Sequence, residues 1–211
     1  MKPIAIFGGT FDPVHLGHLR AAWEAAEYLD AEVRMMPARV PPHRPPTRAS
    51  AEQRVALLRA ALEGQDRLRM DTRELDREGP SYSVDTLLDL RAEFGSTQPL
   101  VLLVGADAFA GLDRWDRWRQ LFQLAHIGVL TRPGVRADGS ETLREAVRAR
   151  RTDRREEIHA SAHGRVIDVP VTALDISASA VRAQLAAGRE PRYLLPQALL
   201  RDPALLNVYR D

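Results

Sequence analysis

Read for hydrophobic and polar positions, the chain alternates between two patterns. Short apolar runs, "PIAIF" from Pro3, "EVRMMPA" from Glu32, "PLVLLVG" from Pro99, "HIGVLTRPG" from His126 and "RVIDVP" from Arg165, have the length and bulk of buried strands. Between them, "HLRAAWEAAEYL", "SAEQRVALLRAAL" and "SVDTLLDLRAEFG" carry apolar residues at helical spacing. Ser50 reads as the N-cap of the second of these helices, with Gln53 at the capping-box position, and Ser83 as the cap of the third. "RLRMDTREL" reads as extended chain. Strands alternating with helices predict an α/β fold, a doubly wound parallel sheet covered on both faces. The expected organisation is one domain over 1–211, a core over 1–175 followed by a small C-terminal helical portion over 176–211, where "YLLPQALLRDPALLNVY" reads as short helices docked on the rest.

Two stretches break the rhythm. "PARVPPHRPPTRAS" is too rich in proline for a helix interior or a central strand and reads as an ordered, partly extended loop. The segment from Val135 to Gly164 is dense in both arginines and acids, the pattern of a solvated helix more than of an RNA-binding arm. Composition supports that choice: 30 Lys and Arg against 29 Asp and Glu leave a net charge of +1, too little to draw the chain to nucleic acid. Neither a signal peptide nor a stretch approaching the roughly 18 apolar residues of a membrane span is recognisable. With no cysteine, disulfides and thiolate chemistry are excluded. A cytoplasmic protein with neither nucleic-acid nor membrane partners is the expectation, a homo-oligomer being left open. Lys2 is the only lysine, which disfavours a Walker A loop, a Schiff base and a lysine general base.

Chemistry concentrates in "GGTFDPVHLGH", placed where the first strand turns into the first helix. That turn is a preferred phosphate site in α/β sheets, because glycines admit the backbone to an anion and the helix N-terminus adds partial positive charge. The spacing is not the G-x-G-x-x-G dinucleotide fingerprint. His15 and His18, three apart, fall in the first helical turn. A zinc pair would lack a third ligand other than Asp12, and core histidines would not need the glycine turn; donation to phosphoryl oxygens fits the place best. Phosphoryl or nucleotidyl transfer requires positioning and charge stabilisation more than covalent help, and positioning alone contributes roughly 7 to 11 kcal/mol. A magnesium ion would be carried by the phosphates themselves.

The motif resembles the (T/H)xGH signature of the nucleotidyltransferase superfamily, and its full form that of the bacterial nicotinate-mononucleotide adenylyltransferases. "VPPHR", "DTRELDREGPSYSVDTL", "LLVGADAFAGLDRWDRW", "TRPG", "ISASAVR" and "YLLP" match that family in order and span nearly the whole chain. The resemblance implies a Rossmann-like domain in which the phosphate of nicotinate mononucleotide attacks the α-phosphorus of ATP, giving nicotinate adenine dinucleotide and pyrophosphate. It implies that His15, His18 and Arg182 are catalytic, the histidines at the α- and β-phosphates, and that Gly8, Gly9 and Thr10 form the turn meeting ATP.

The same resemblance distributes the remaining residues. Ser177 or Ser179 caps a helix in which Arg182 lies one turn in, a set suited to the β- and γ-phosphates; the family pattern is closer to ISSTxIR, so Ala178, Ser179 and Val181 depart from it. Asp107, just after Gly105, faces a ribose hydroxyl of ATP or caps a helix, or both. Trp115 and Trp118 have the spacing of a packed pair; the resemblance assigns Trp115 to stacking on the pyridine ring and leaves Trp118 structural. Backbone amides near Ser83 and Asp116 would receive the nicotinate carboxylate, provided the Asp116 side chain is turned away. His43, Arg44 and Arg132 are placed on the mononucleotide's phosphate side. The alternatives are an adenylyltransferase preferring nicotinamide mononucleotide, one acting on phosphopantetheine, or a non-catalytic nucleotide sensor.

Overall fold

The computed structural model describes residues 1–39, 46–131 and 139–210. Seven strands form one sheet: β1 (Ile4–Gly9), β2 (Glu32–Pro37), β3 (Leu68–Met70), β4 (Leu100–Gly105), β5 (His126–Thr131), β6 (Arg151–Thr152) and β7 (Val166–Pro170). Their order is β3-β2-β1-β4-β5-β7-β6, and every pairing is parallel. The helices are α1 (Leu16–Leu29), α2 (Ala51–Ala61), α3 (Arg73–Asp76), α4 (Ser83–Phe94), α5 (Ala106–Phe109), α6 (Trp118–Leu124), α7 (Glu141–Arg148), α8 (Arg155–Ala160), α9 (Ala178–Ala186) and α10 (Gln197–Arg201). Short 3-10 turns cover Leu112–Arg114 and Pro203–Tyr209.

Strand alternation divides the core in two. Ala5, Val33, Val101 and Val169 pack against α1, α2, α9, α10 and the Pro203–Tyr209 turn. Ile4, Ile6, Leu102 and Val129 point the other way, against α4, α6 and α7. With both faces covered, the strands must be apolar at nearly every position, which is the pattern legible in the sequence. The chain runs from β1 outward to β3 and then returns through α4 to place β4 on the other side of β1. The reversal opens a crevice between the carboxyl ends of β1 and β4, the place where sheets of this kind bind ligands.

Several sequence expectations are realised in detail. Ser50 caps α2, its hydroxyl accepting from the Gln53 amide while Gln53 reaches back to the Ser50 amide. At the C-terminus, α10 and the Pro203–Tyr209 turn bury Leu199, Leu206 and Tyr209 in the first core.

Others are corrected. "RLRMDTREL" is extended only through Met70; the Asp71 carboxylate then accepts from the amide and guanidinium of Arg73 and starts α3. Ser83 is not a cap but the first residue of α4, preceded by Tyr82, and no side chain caps that helix. Asp107 is likewise inside α5, with Gly105 in the cap position. In its described residues, 139–164, the charge-dense stretch is two helices separated by the edge strand β6, with Leu143, Val147 and Ile158 buried. Three acceptors and a C-cap carbonyl at the opposite, amino edge of the sheet converge on Arg91 of α4, which donates to the carbonyls of Gly95, Gln98, Leu124 and Ala162.

Candidate active site

The loop from Thr10 to His15 leaves β1 and enters α1 with an unusual cap. His15, in extended conformation, is the N-cap residue rather than part of the first turn; its Nδ1 accepts from the His18 amide at 3.4 Å, and His18 Nδ1 accepts from the His15 amide at 3.3 Å. This is a capping box built from two imidazoles. The rings stack, with centroids 3.6 Å apart and planes 19° from parallel, and Phe11 meets His18 edge-on at 5.1 Å.

The geometry fixes the chemistry of both rings. With each Nδ1 accepting, the proton of the neutral ring sits on Nε2. Burial pushes the His15 pKa down to about 4, and burial together with the adjacent His15 ring pushes His18 down to about 3. At neutral pH the pair therefore presents two uncharged Nε2–H donors. The helix's own amides are mostly engaged: Leu16 donates to the Leu194 carbonyl, His18 to His15, and Leu19 to the His15 carbonyl.

The glycines at the end of β1 serve different ends. A Cβ on Gly9 would lie 2.8 Å from the Phe11 ring, so packing requires the glycine there. A Cβ on Gly8 or on Gly105, at the ends of β1 and β4, would meet nothing within 4 Å. Those two positions keep the crevice open.

Beside the crevice lies a cavity of about 620 Å³. Gly8, Gly9, Thr10, Ser83, Asp107, Trp115 and Asp116 line it, bringing together seven of the residues singled out in the sequence. The tryptophans divide as expected in their surroundings: Trp118 is buried edge-on against Phe122, whereas Trp115 is half-buried on the cavity wall. The absence of a side-chain cap on α4 leaves its first amides, beginning with Ser83, facing this wall. The Asp116 carboxylate is held at 2.7 Å by Arg117, whose other end pairs with Asp85, so its charge is turned to a cation.

Arg182, Ser177 and Ser179 arrive from α9. The Ser177 hydroxyl caps that helix by accepting from the Ala180 amide, which decides between the two serines. Arg182 donates to the Asp12 carbonyl at 2.6 Å and to the Ser179 hydroxyl at 3.2 Å, binding α9 to the histidine loop. His43, Arg44 and Arg132 lie outside the described residues.

Sequence reasoning passed over three residues here, Glu74, Arg114 and Arg54, and weighed Asp12 only as a third zinc ligand. Glu74 and Arg114 also line the cavity; burial raises the Glu74 pKa, and its carboxylate accepts from the Thr86 hydroxyl. Arg54 is 1% exposed and donates to the carbonyls of Thr10 and Ala38, joining the loops after β1 and β2. Asp12 is buried, and its carboxylate receives donors from two separate segments, Arg48–Ala49 and Tyr209. Arg54, near the start of α2 between Gln53 and Val55, gives no sign in sequence of being buried.

Comparison with known proteins agrees with this geometry. Residues 6–184 match the cytidylyltransferase-like family. A protein of Halorhodospira halophila described as a "probable nicotinate-nucleotide adenylyltransferase" is 47% identical, over 94% of this chain and 91% of its own length. One of Methylococcus capsulatus with the same description is 48% identical, over 93% and 94%. Among solved structures, the Plasmodium falciparum nicotinic acid mononucleotide adenylyltransferase complexed with NaAD superposes with a TM-score of 0.69 over 99% of this chain and 98% of that one. At 13% identity, that similarity is one of fold.

Proposed function

The chain belongs to the cytidylyltransferase-like family and, within it, to the nicotinate-nucleotide adenylyltransferases, and from that membership we propose that it joins nicotinate mononucleotide to ATP, giving nicotinate adenine dinucleotide and pyrophosphate in NAD biosynthesis. The observation that carries the reading is the pair of neutral, Nε2-protonated imidazoles at the β1–β4 crevice, beside a cavity walled by Trp115 and the uncapped start of α4.

In this reading a phosphate oxygen of the mononucleotide attacks the α-phosphorus of ATP, a new P–O bond forms, and the bond to the leaving pyrophosphate breaks in line. Negative charge grows on the α- and β-phosphoryl oxygens. His15 and His18 donate to them through Nε2–H, already oriented by the reciprocal bonds through Nδ1. The neutral form suits this role, because only an unprotonated Nδ1 can accept the backbone amide that orients each ring. Arg182 supplies a full positive charge to the leaving pyrophosphate, with Ser177 and Ser179 at the start of its helix.

Gly8, Gly9 and Thr10 admit the triphosphate and Asp107 accepts from an ATP ribose hydroxyl. Trp115 stacks on the pyridine ring. Amides at Ser83 and near Asp116 take the nicotinate carboxylate. An amide in its place would set NH2 against N–H donors, and this favours the acid. His43, Arg44 and Arg132 are assigned to the mononucleotide by sequence alone.

Magnesium, which would neutralise part of the triphosphate charge, is assigned to ATP, whose phosphates would carry it. Among the described residues no cluster of three or more His, Asp or Glu could hold a metal. Asp12, the carboxylate of the motif, is already occupied by hydrogen bonds. Among the described residues no helix is long and apolar enough to cross a membrane.

The test is pyrophosphate release from ATP and Mg²⁺ with nicotinate mononucleotide, nicotinamide mononucleotide or phosphopantetheine supplied separately. Preference for the nicotinate compound is expected. Preference for either of the others would overturn the pocket assignment, and ATP binding without release in any of the three would replace the enzyme with a nucleotide sensor.

A further inference from the structure

Asp12 stands at the crossing of four segments that are remote in sequence. Its Oδ1 accepts from the Ala49 amide at 3.1 Å and from the Tyr209 hydroxyl at 2.8 Å, and its Oδ2 accepts from the Arg48 amide at 2.8 Å. Oδ2 also lies 3.7 Å from Arg182 Nη1, the same nitrogen that donates to the Asp12 carbonyl at 2.6 Å. One residue thus fixes the guanidinium of Arg182 through both its backbone and its side chain. The other half of that guanidinium, through Nη2, meets the Ser179 hydroxyl, so the plane of the group is defined from both ends.

What holds Asp12 itself is the less expected part. The Arg48 and Ala49 amides hold one bond to each carboxylate oxygen, and Tyr209 adds a second, shorter bond to Oδ1 with a hydroxyl inserted into the buried side of the loop. The Tyr209 ring is 2% exposed, packed in the same core as Val181 and Leu185 of α9. Burial raises the phenol pKa, as does the adjacent Asp12, so the hydroxyl keeps its proton and remains a donor. Arg54, pinned to the carbonyls of Thr10 and Ala38, closes the far side of the same loop.

We propose that Tyr209 is a positioning residue for the transfer reaction: through its hydroxyl it orients the Asp12 carboxylate, and through Asp12 it aims Arg182 at the leaving pyrophosphate. The Pro203–Tyr209 turn is then part of the active-site framework, although it contributes no group that touches substrate. The inference rests on the catalytic assignment of Arg182 made above. Its energetic logic is that of an enforced orientation: a guanidinium free to swing still binds phosphate but spends less time where charge develops.

Tyr209→Phe removes the hydroxyl and keeps the ring in the core. The variant is expected to lower kcat roughly three- to tenfold, the range of one lost hydrogen bond, with KM for both substrates within about twofold of the native values. Asp12→Asn should act in the same direction, since an amide cannot accept at both positions. In an Arg182→Ala background, Tyr209→Phe should produce no further fall in kcat, because the route it supports is gone. A Tyr209→Phe enzyme with native kcat and only a lowered Tm would overturn the proposal, as would an undiminished effect in the Arg182→Ala background. The guanidinium NMR signals of Arg182 report the orientation without turnover: Tyr209→Phe should shift them, and unchanged signals would overturn the proposal even if kcat fell. A native protein that released no pyrophosphate with any mononucleotide would instead overturn the assigned reaction, so the two failures are separable.

Discussion

At the scale of single residues, the pairing of His15 with His18 turns two titratable groups into fixed neutral donors. Each Nδ1 is committed to a backbone amide and each Nε2 keeps its proton, a division enforced by the cap geometry and by burial. His18→Ala should therefore lower kcat by about 10²- to 10³-fold, the effect of losing one preorganised donor to developing charge, with a much smaller change in KM for ATP. Steady-state kinetics would show the reverse split if His18 served only ground-state binding. Trp115→Ala should raise KM for nicotinate mononucleotide by roughly tenfold, in line with the loss of about 1.4 kcal/mol of aromatic stacking, while KM for ATP stays nearly constant. A change confined to ATP would remove Trp115 from the pyridine site. The histidines stand out as candidates in the sequence because their motif is local, whereas the tryptophan spacing suggests a packed pair and the place of Trp115 on the cavity wall comes from the fold. The reciprocal cap was not legible, since histidine is not an ordinary capping residue and only the β-conformation of His15 makes the exchange geometrically available.

Elements show the same division between local and distant information. Strands and main helices follow from apolar runs and periodicity, and the capping box at Ser50 follows from two residues three apart. Ser83 illustrates where local reading stops. Serine is a strong capping type, yet the helix begins at Ser83 itself, and Tyr82 precedes it without a side-chain bond. The uncapped turn forms part of the cavity wall, a setting no local preference could reveal. Helix α4 also joins two functions at its two ends. Its start faces the cavity, while Arg91 near its end ties together the carbonyls that precede β4, β5 and β7. Arg91→Ala strands those acceptors in a partly buried site and should destabilise the fold by about 3 kcal/mol. Denaturant unfolding would measure that loss. Because the crossing lies at the amino edge of the sheet and the chemistry at the carboxyl edge, kcat and both KM values should remain native, and a large kinetic effect would contradict this separation.

For the molecule as a whole, the depressed pKa values of three histidines, His15 and His126 buried and His18 half-buried, bear on the pH dependence of stability. His126, buried by the sheet, donates through Nε2 to the Ser161 carbonyl and accepts at Nδ1 from the Arg165 amide, and burial holds it neutral with a pKa of about 4, alongside His15 and His18. Unfolded, each would titrate near 6.5, so below that pH the unfolded state binds more protons and stability falls as the pH drops. Each group contributes a loss of up to about 1.4 kcal/mol per pH unit until its folded pKa is reached. Thermal melts should show Tm constant above pH 7 and declining steadily from about pH 6.5 toward pH 4, and a Tm that rose on acidification would refute the neutral assignment. Global topology was partly legible: alternation pointed to a parallel sheet, but its strand order, with the reversal between β1 and β4, depends on long crossovers that carry no local mark.

The bonds to Asp12 also bear on time. Its partners lie 36, 37, 170 and 197 positions along the chain, so the loop bearing the histidines is closed by some of the most widely separated contacts in the molecule. Such contacts form late, after the loop-closure entropy between them has been offset by nearer pairings. During refolding, the sheet and its helices should regain their native spectrum before turnover returns, and a chain still emerging from synthesis would carry both histidines long before it could use them.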